Sequence, residues 1–394
     1  VHPPAFRTTV AALAAGQLVC WAALYYGFTS FVLPMQRALG WSKPALMGAF
    51  TLGLAVWGAA SYAVGAAIDR GHGRAVLTLG SALAGAGFWL WSAATTLPGL
   101  YAAWALLGAA MAMTLYEPAF NLLTRRFPEH YRQGITALTL VGGFASTLSF
   151  PAVAWLLAAL DWRDALRVIG SVLLLGVTPL HAWALHGAPA QLVRTHAADD
   201  GADDATLHEA LRERAFWLLV LTFTLYSFAA AALWAHMMPV FAARGLGETA
   251  ALGVVVWFGP AQVAGRFAYL LFGRWVGTRA LGLAVLAGLP LSLAIFALGQ
   301  GPAAWILFAL LFGLANGLVT IVRGSLVPEY FGRSHVGRIS GTMNVVALLA
   351  RAAAPLATAW LLLAVPGYRE VLLVLAGLGV VAVLAFAAAR PPRA

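Results

Sequence analysis

Trp257-Phe258-Gly259-Pro260-Ala261-Gln262-Val263-Ala264-Gly265-Arg266-Phe267-Ala268-Tyr269 lies inside an apolar run from about residue 250 to 272. A helix needs roughly 20 apolar residues to cross the hydrocarbon of a bilayer, and this run is long enough. It nonetheless carries a full positive charge at Arg266. An arginine at the centre of a membrane helix costs roughly 2.5 to 3.5 kcal/mol on insertion scales. A chain keeps one there against a carboxylate, a water-filled cavity or an anionic ligand. Arg351 poses the same question in another apolar run.

The remainder of the chain agrees with a membrane setting. Of 394 residues, 62% are hydrophobic and 10% charged, too apolar for a soluble core with a polar surface. The net charge of +10 is spread as single arginines between apolar runs, not striped along one face, so nucleic acid is not the expected partner. The one cysteine, Cys20, excludes a disulfide framework. Val1 to Thr9 does not read as a removable signal peptide.

Apolar windows bounded by charge, Pro and Gly predict twelve segments, near 9–35, 45–68, 75–96, 99–124, 134–158, 165–185, 215–242, 249–273, 279–299, 303–326, 337–363 and 368–389. An even number puts both termini on one side. Fifteen Lys and Arg fall on the side of the termini, six on the other, and Arg266, Arg323 and Arg351 lie within segments. The positive-inside rule then places both termini in the cytoplasm and the chain in the cytoplasmic (inner) membrane as a multi-pass protein.

Gly187 to Arg214 is the long polar stretch, with Asp199, Asp200, Asp203 and Asp204 in it. It reads as a solvated linker ending in a short amphipathic helix that opens at Thr206 with Glu209 three residues on. The linker separates two halves that echo each other. Arg125-Arg-Phe-Pro-Glu-His-Tyr131 matches Leu326-Val-Pro-Glu-Tyr-Phe331, and Gly65 to Arg74 has a degraded partner in Leu270 to Arg279. The expected organisation is an N-terminal six-helix bundle over 1–186, a cytoplasmic linker over 187–214 and a C-terminal six-helix bundle over 215–394. Such repeats mark transporters.

Gly65-Ala-Ala-Ile-Asp69-Arg70-Gly-His-Gly73-Arg74 resembles the Gly-x-x-x-Asp-Arg-x-Gly-Arg signature of the major facilitator superfamily between helices 2 and 3. Within that family, Gly40-Trp41-Ser42 and Leu211-Arg-Glu-Arg-Ala-Phe-Trp217 are similar to the monocarboxylate porter and oxalate–formate antiporter branch. The resemblance implies an all-α membrane protein of twelve transmembrane helices in two bundles related by a pseudo-two-fold axis. In that branch an arginine of helix 8 and a basic residue of helix 11 clamp the substrate carboxylate. Arg266 and Arg351 match those positions in kind and depth. Animal-type symporters of the branch carry an Asp four residues before the helix-8 arginine, where this chain has Gln262. They also carry a lysine in helix 1, where the polar residues here are Tyr25 and Tyr26. The helix-4 arginine of proton-coupled drug antiporters is replaced by Trp104.

At 1.5 Å per residue Arg266 sits ~12 Å and Arg351 ~20 Å from the cytoplasmic ends of their segments, both central. The segment interiors hold one acid, Glu117 in Thr114-Leu-Tyr116-Glu117-Pro118, so two central arginines cannot both be neutralised internally. Binding of an anion and pairing with protein groups are the two readings of the arginines. Gln262 lies one turn before Arg266, and Asn344 lies two turns before Arg351; each amide serves either to orient a carboxylate or to hold a guanidinium. Glu117 is the candidate coupling residue, with a static ion pair as the alternative. Gln17, Trp21, Tyr25 and Phe28 form one face of segment 1, and Tyr226 and Trp234 one face of segment 7. Packing explains such stripes, and Tyr25, Tyr116 and Trp234 are the candidates for substrate contact. His236 reads as a packed histidine. Asp69, Arg70, Arg74, Arg125, Arg323 and Glu329 form the expected gating set on the cytoplasmic side, with Arg323 snorkelling or pairing with Glu329.

These readings imply a secondary transporter that moves a small mono- or dicarboxylate by alternating access, with a proton or counter-anion as co-substrate, and without cofactor, metal or catalytic set. A monomer in the lipid bilayer is expected. The alternatives are an efflux carrier for amphipathic drugs with structural arginines, and a non-transporting receptor.

Overall fold

The computed structural model describes residues 4–186 and 204–391. The acidic linker residues Asp199, Asp200 and Asp203 lie outside the described residues. Among those described, eleven helical stretches are long and apolar enough to cross a membrane. One of them, Pro44–Ala93, runs for 50 residues and is two spans joined through Ile68–His72, where Gly71 takes a φ of 91°. Only glycine adopts that backbone without strain. The fold is therefore all-α with twelve spans: α1 (Phe6–Leu39), α2 (Lys43–Ala67), α3 (Gly73–Ala93), α4 (Leu97–Arg126), α5 (Tyr131–Ala159), α6 (Trp162–Ala184), α7 (Arg214–Ala243), α8 (Thr249–Phe272), α9 (Thr278–Leu298), α10 (Gly301–Phe331), α11 (Val336–Ala364) and α12 (Tyr368–Ala388).

Capping follows the local sequence. Ser42 and Thr96 each accept a backbone N–H at the starts of α2 and α4, with Pro44 and Pro98 in the first turn. Ahead of α7, a short helix over Leu207–Arg212 opens with a capping box between Thr206 and Glu209. Large side chains such as Trp155, Leu175 and Leu363 stand exposed on the helices, as the lipid-facing surface of a membrane bundle requires.

The chain divides into two compact units, residues 1–204 with 332–345, and residues 205–331 with 346–394. The same pairings recur inside each. In the first, α2 packs on α4, α3 on α4 and on α6, and α1 on α6; in the second, α8 packs on α10, α9 on α10 and on α12, and α7 on α12. In both units glycines bring the backbones of packed helices together. A Cβ on Gly108 of α4 would stand 2.2 Å from the Gly53 carbonyl of α2, and one on Gly317 of α10 would stand 2.8 Å from the Cα of Gln262 in α8.

The sequence repeat has a structural counterpart in two arginines. Arg74, at the start of α3, donates to the Ala182 carbonyl at the end of α6 at 3.0 Å. Arg279, its repeat partner at the start of α9, donates to Ala387 at 2.6 Å and to Ala389 at the end of α12. Each supplies a donor to carbonyls that the last turn of a helix leaves unpaired.

Several spans depart from regular α geometry, and two of the departures shape the site. Trp21–Tyr26 of α1 is a π turn, and α4 breaks at Leu115, whose ψ is −162°. The cause of the second break is Pro118: its ring excludes the carbonyl four residues earlier, which is that of Thr114. The freed carbonyl is taken up from α1, where Gln17 Nε2 donates to Thr114 at 2.6 Å and to Leu115 at 3.3 Å. Gln17 is fully buried. Irregular backbone at this depth is tolerated only with such repair.

Candidate functional site

Gly313 and Gly317 lie one turn apart on α10 and pass against α8. A Cβ on Gly313 would stand 2.8 Å from the Phe258 carbonyl, as intolerable as at Gly317. The contact puts the Gly317 carbonyl within reach of Arg266, whose Nε donates to it at 2.9 Å. Thr320 donates to the same oxygen at 3.1 Å. Arg266 is 4% exposed, and its Nη1 is buried with no partner. A carbonyl carries no net charge, so the bond holds the guanidinium without cancelling it.

Arg351 is half-buried in α11, and no hydrogen bond or ion pair among the described residues reaches it. Both arginines belong to the second unit. The described acids of that unit, Glu209, Glu213, Glu248, Glu329 and Glu370, all sit outside the spans or in a terminal turn. Its helix interiors therefore carry cationic charge and no carboxylate. Gln262, one turn before Arg266, is half-buried with no hydrogen bond among the described residues, and so is Asn316, beside Gly317. Trp234 is 42% exposed and stands edge-on to Phe258 and Phe312, at 5.3 and 5.8 Å between ring centroids.

In the first unit the π turn of α1 and the break of α4 meet in an aromatic cluster. Trp21 packs on Tyr116 at 4.8 Å, on Tyr25 at 5.4 Å and on Trp57 at 6.0 Å. Tyr25 also lies 5.8 Å from Phe50. The π turn adds a residue to the repeat, so Tyr25 and Tyr26 are both half-exposed, while Phe28 is fully buried and stacked on Phe50. Trp21, Tyr25 and Phe28 stay in one aromatic cluster, joined through Phe50, with Tyr26 beside Tyr25. Tyr116 is buried at the first turn of the second half of α4, with Glu117 beside it. Trp104 is fully buried against Phe28, Phe50 and Trp91.

Asn344 does not share the exposure of Arg351. It is 1% exposed and donates to Ser61 of α2 at 3.0 Å. Its amide therefore ties α11 to α2 within the first unit. His236 is packed as expected, with its ring nitrogens 3.2 Å from the Tyr368 hydroxyl and 3.0 Å from the Pro355 carbonyl.

Of the expected gating residues, the structure brings Asp69 and Arg125 together. Asp69 accepts the backbone N–H of Gly337 at 2.9 Å and of Arg338 at 2.8 Å, two of the unpaired donors in the first turn of α11. Arg125 donates to the Asp69 carbonyl at 2.9 Å and to the Ser334 carbonyl at 2.6 Å. Its approach to the Asp69 carboxylate is longer, 3.5 Å, so the carbonyls hold it more firmly than the ion pair does. Burial pushes the Asp69 carboxyl above its ordinary pKa, opposed by the Arg338 and Gly337 N–H groups and by the Arg125 charge. Gly65 makes the approach feasible: a Cβ there would stand 2.0 Å from the Gly337 carbonyl. Asp204, at the end of the linker, accepts the N–H of Arg333 at 3.1 Å and of Ser334 at 3.0 Å, fixing the same loop.

Within the first unit, Arg70 and Arg74 take no part in this contact. Arg70 is exposed, with no hydrogen bond or ion pair among the described residues. Arg74 is the cap of α6 described above. Arg323 of the second unit stands over Phe223 at 6.0 Å, and Glu329 is exposed in the last turn of α10. Sequence reasoning passed over Gly317, Asn316 and Thr320, and treated Gln17 as packing. The Gly313–Gly317 spacing was the available signal for the first of these.

Twelve apolar spans in two units with the same helix pairings, and two mid-span arginines that no described carboxylate meets, fit a polytopic membrane carrier. The profile of the Major Facilitator Superfamily matches residues 13–355, and the chain belongs to that family of transporters. Rat monocarboxylate transporter 13 is 29% identical over 303 residues, covering 73% of this chain and 65% of the relative. The oxalate:formate antiporter of Oxalobacter formigenes is 27% identical, covering 58% and 54%. Human monocarboxylate transporter 11 is 29% identical, covering 77% and 62%. The chain thus spans between half and two thirds of the length of these three relatives. Among solved structures, the human organic anion transporter MFSD10 superposes with a TM-score of 0.74 at 17% identity, covering 98% of this chain and 100% of that one. The fucose:proton symporter of E. coli gives 0.75 at 14% identity, with the same coverage. These two likenesses show the fold.

Proposed function

We propose that this secondary transporter carries a small organic anion, a mono- or dicarboxylate, and that Arg266 and Arg351 bind it. One observation carries the reading: the second unit holds two mid-span guanidinium groups with unpaired donors and no acid within its helix interiors. An anion supplies the missing charge and makes closure over the site less costly. Arginine suits the role because its planar fork matches a carboxylate and stays charged at physiological pH. The names of the monocarboxylate and oxalate:formate relatives point the same way. Gln262 is proposed to orient the substrate, and Tyr25, Tyr116 and Trp234 to contact its body. Asn344 is a weaker candidate because its amide is already bonded to Ser61.

Asp69 and Arg125 are proposed as the working part of the cytoplasmic gate, both termini as cytoplasmic, and 1–186 and 215–394 as the two bundles that move during alternating access. An exporter of amphipathic cations would need a surplus of buried acid, the reverse of what these helices carry. The test is uptake by proteoliposomes, preceded by a thermal-shift screen against small carboxylates. A raised melting temperature and saturable uptake of a carboxylate are expected; uptake of hydrophobic cations with indifference to every carboxylate would reject the reading.

Glu117 is proposed as the proton-coupling residue. Glu117→Gln is expected to leave anion exchange intact while removing substrate-driven proton movement, read with a pH-sensitive dye inside the liposomes. Unchanged proton movement would end that assignment.

A further inference from the structure

A guanidinium can meet a carboxylate bidentately in two ways: side-on, through Nε and one Nη, or end-on, through both Nη atoms. In this chain the two are not equivalent. Arg266 Nε is committed to the Gly317 carbonyl at 2.9 Å, whereas Nη1 is buried without a partner. No hydrogen bond among the described residues reaches Nη2. We infer that Gly317 is a positioning residue: its carbonyl fixes the Arg266 fork so that the substrate carboxylate is received end-on, by Nη1 and Nη2 together. The inference rests on the proposal that Arg266 binds the anion and specifies how.

Three features of the site support it. The carbonyl is delivered only because position 317 is glycine; a side chain there would meet Gln262 Cα at 2.8 Å and the Gln262 carbonyl at 2.9 Å. Gly313, one turn earlier on α10, keeps the same two backbones close. Thr320 donates to the same carbonyl at 3.1 Å, so the acceptor is itself held. Arg266 is therefore braced by an uncharged group through Nε, while its Nη atoms keep donors that no described protein group accepts. A carboxylate brace would have cancelled that charge, and Gln262, the residue one turn before Arg266, supplies none. Preorganisation of this kind favours binding by removing the cost of ordering the side chain when the ligand arrives.

The test uses full-length protein in nanodiscs with ¹⁵N-labelled arginine, the Arg266 signals being assigned by their loss in Arg266→Lys. In the free protein the Arg266 Nε–H is expected to show the shift and slow exchange of a buried hydrogen bond. Saturating pyruvate, and separately oxalate, should move the Nη signals and leave Nε in place. Movement of Nε, with loss of its exchange protection, would mean side-on binding and overturn the inference while leaving Arg266 in the site. Response of neither set to either anion would overturn the site itself. Gly317→Ala supplies the functional arm: it should raise KM for the carboxylate at least tenfold with Vmax little changed, whereas Gly313→Ala, which disturbs the same helix contact without touching the bracing carbonyl, should leave KM closer to that of the unaltered protein. Equal rises in KM for the two variants would show that helix spacing, not the carbonyl, sets affinity.

Discussion

Replacing Arg266 by alanine is expected to lower the affinity for a carboxylate roughly a hundredfold, because two charge-assisted hydrogen bonds at about 1.5 kcal/mol each amount to about 3 kcal/mol. Arg351 is only half-buried. Its replacement by alanine is expected to cost less, about tenfold, since exposure weakens each contact to the order of 1.4 kcal/mol. With both replaced, uptake of carboxylate into proteoliposomes should vanish, while the protein still inserts, because removing a buried charge from a membrane helix favours insertion. The measurement is initial uptake rate against substrate concentration for equal amounts of reconstituted protein. Saturable uptake by the double variant would reject the grip.

The second large effect belongs to Asp69. Its carboxylate accepts two backbone N–H groups at the start of α11, and its backbone carbonyl accepts from Arg125. Alanine at this position leaves the two N–H groups of Gly337 and Arg338 without their acceptor and Arg125 without its nearby anion. At about 1.5 to 3 kcal/mol for each hydrogen bond to a charged group, the loss is of the order of several kcal/mol. Transport is expected to fall by an order of magnitude or more, and the backbone amides over 332–338 to lose protection from hydrogen exchange. Asp69→Glu should not restore either, because the glycine contact between Gly65 and Gly337 leaves no room for a longer side chain. Protection over 332–338 equal to that of the unaltered chain, together with normal transport, would show that the contact holds nothing in place.

Much of this was legible in the sequence because the bilayer imposes a simple rule. Apolar windows long enough to cross it marked the spans, and a charge inside one could not be incidental, which is why Arg266, Arg351 and Glu117 were visible at once. Arg74 and Arg279 could be aligned as repeat partners, although their shared role in capping α6 and α12 depends on contacts more than a hundred residues away along the chain. Pro118 interrupts α4, and no sequence signal says that Gln17 of α1 takes up the carbonyl it frees. The π turn at Trp21–Tyr26 left no mark on the sequence that periodicity could detect, and Phe28, the last residue of the expected stripe, is fully buried, as packing requires. Asp69 was found through its motif, yet its partners at the start of α11 lie more than 260 positions away and are backbone groups, which carry no residue-type signal. The brace on Arg266 was invisible for the same reason, since an acceptor carbonyl exists at every residue and only the fold selects Gly317.

The central claim is that the two mid-span arginines are charged groups waiting for an anion. It is tested most directly by comparing binding of a carboxylate with that of its neutral amide, by calorimetry on the purified chain and on the Arg266→Gln, Arg351→Gln double variant. The account predicts that the unaltered protein binds the carboxylate and not the amide, and that the double variant binds neither. Equal binding of the two compounds, or retention of carboxylate binding by the double variant, would contradict it.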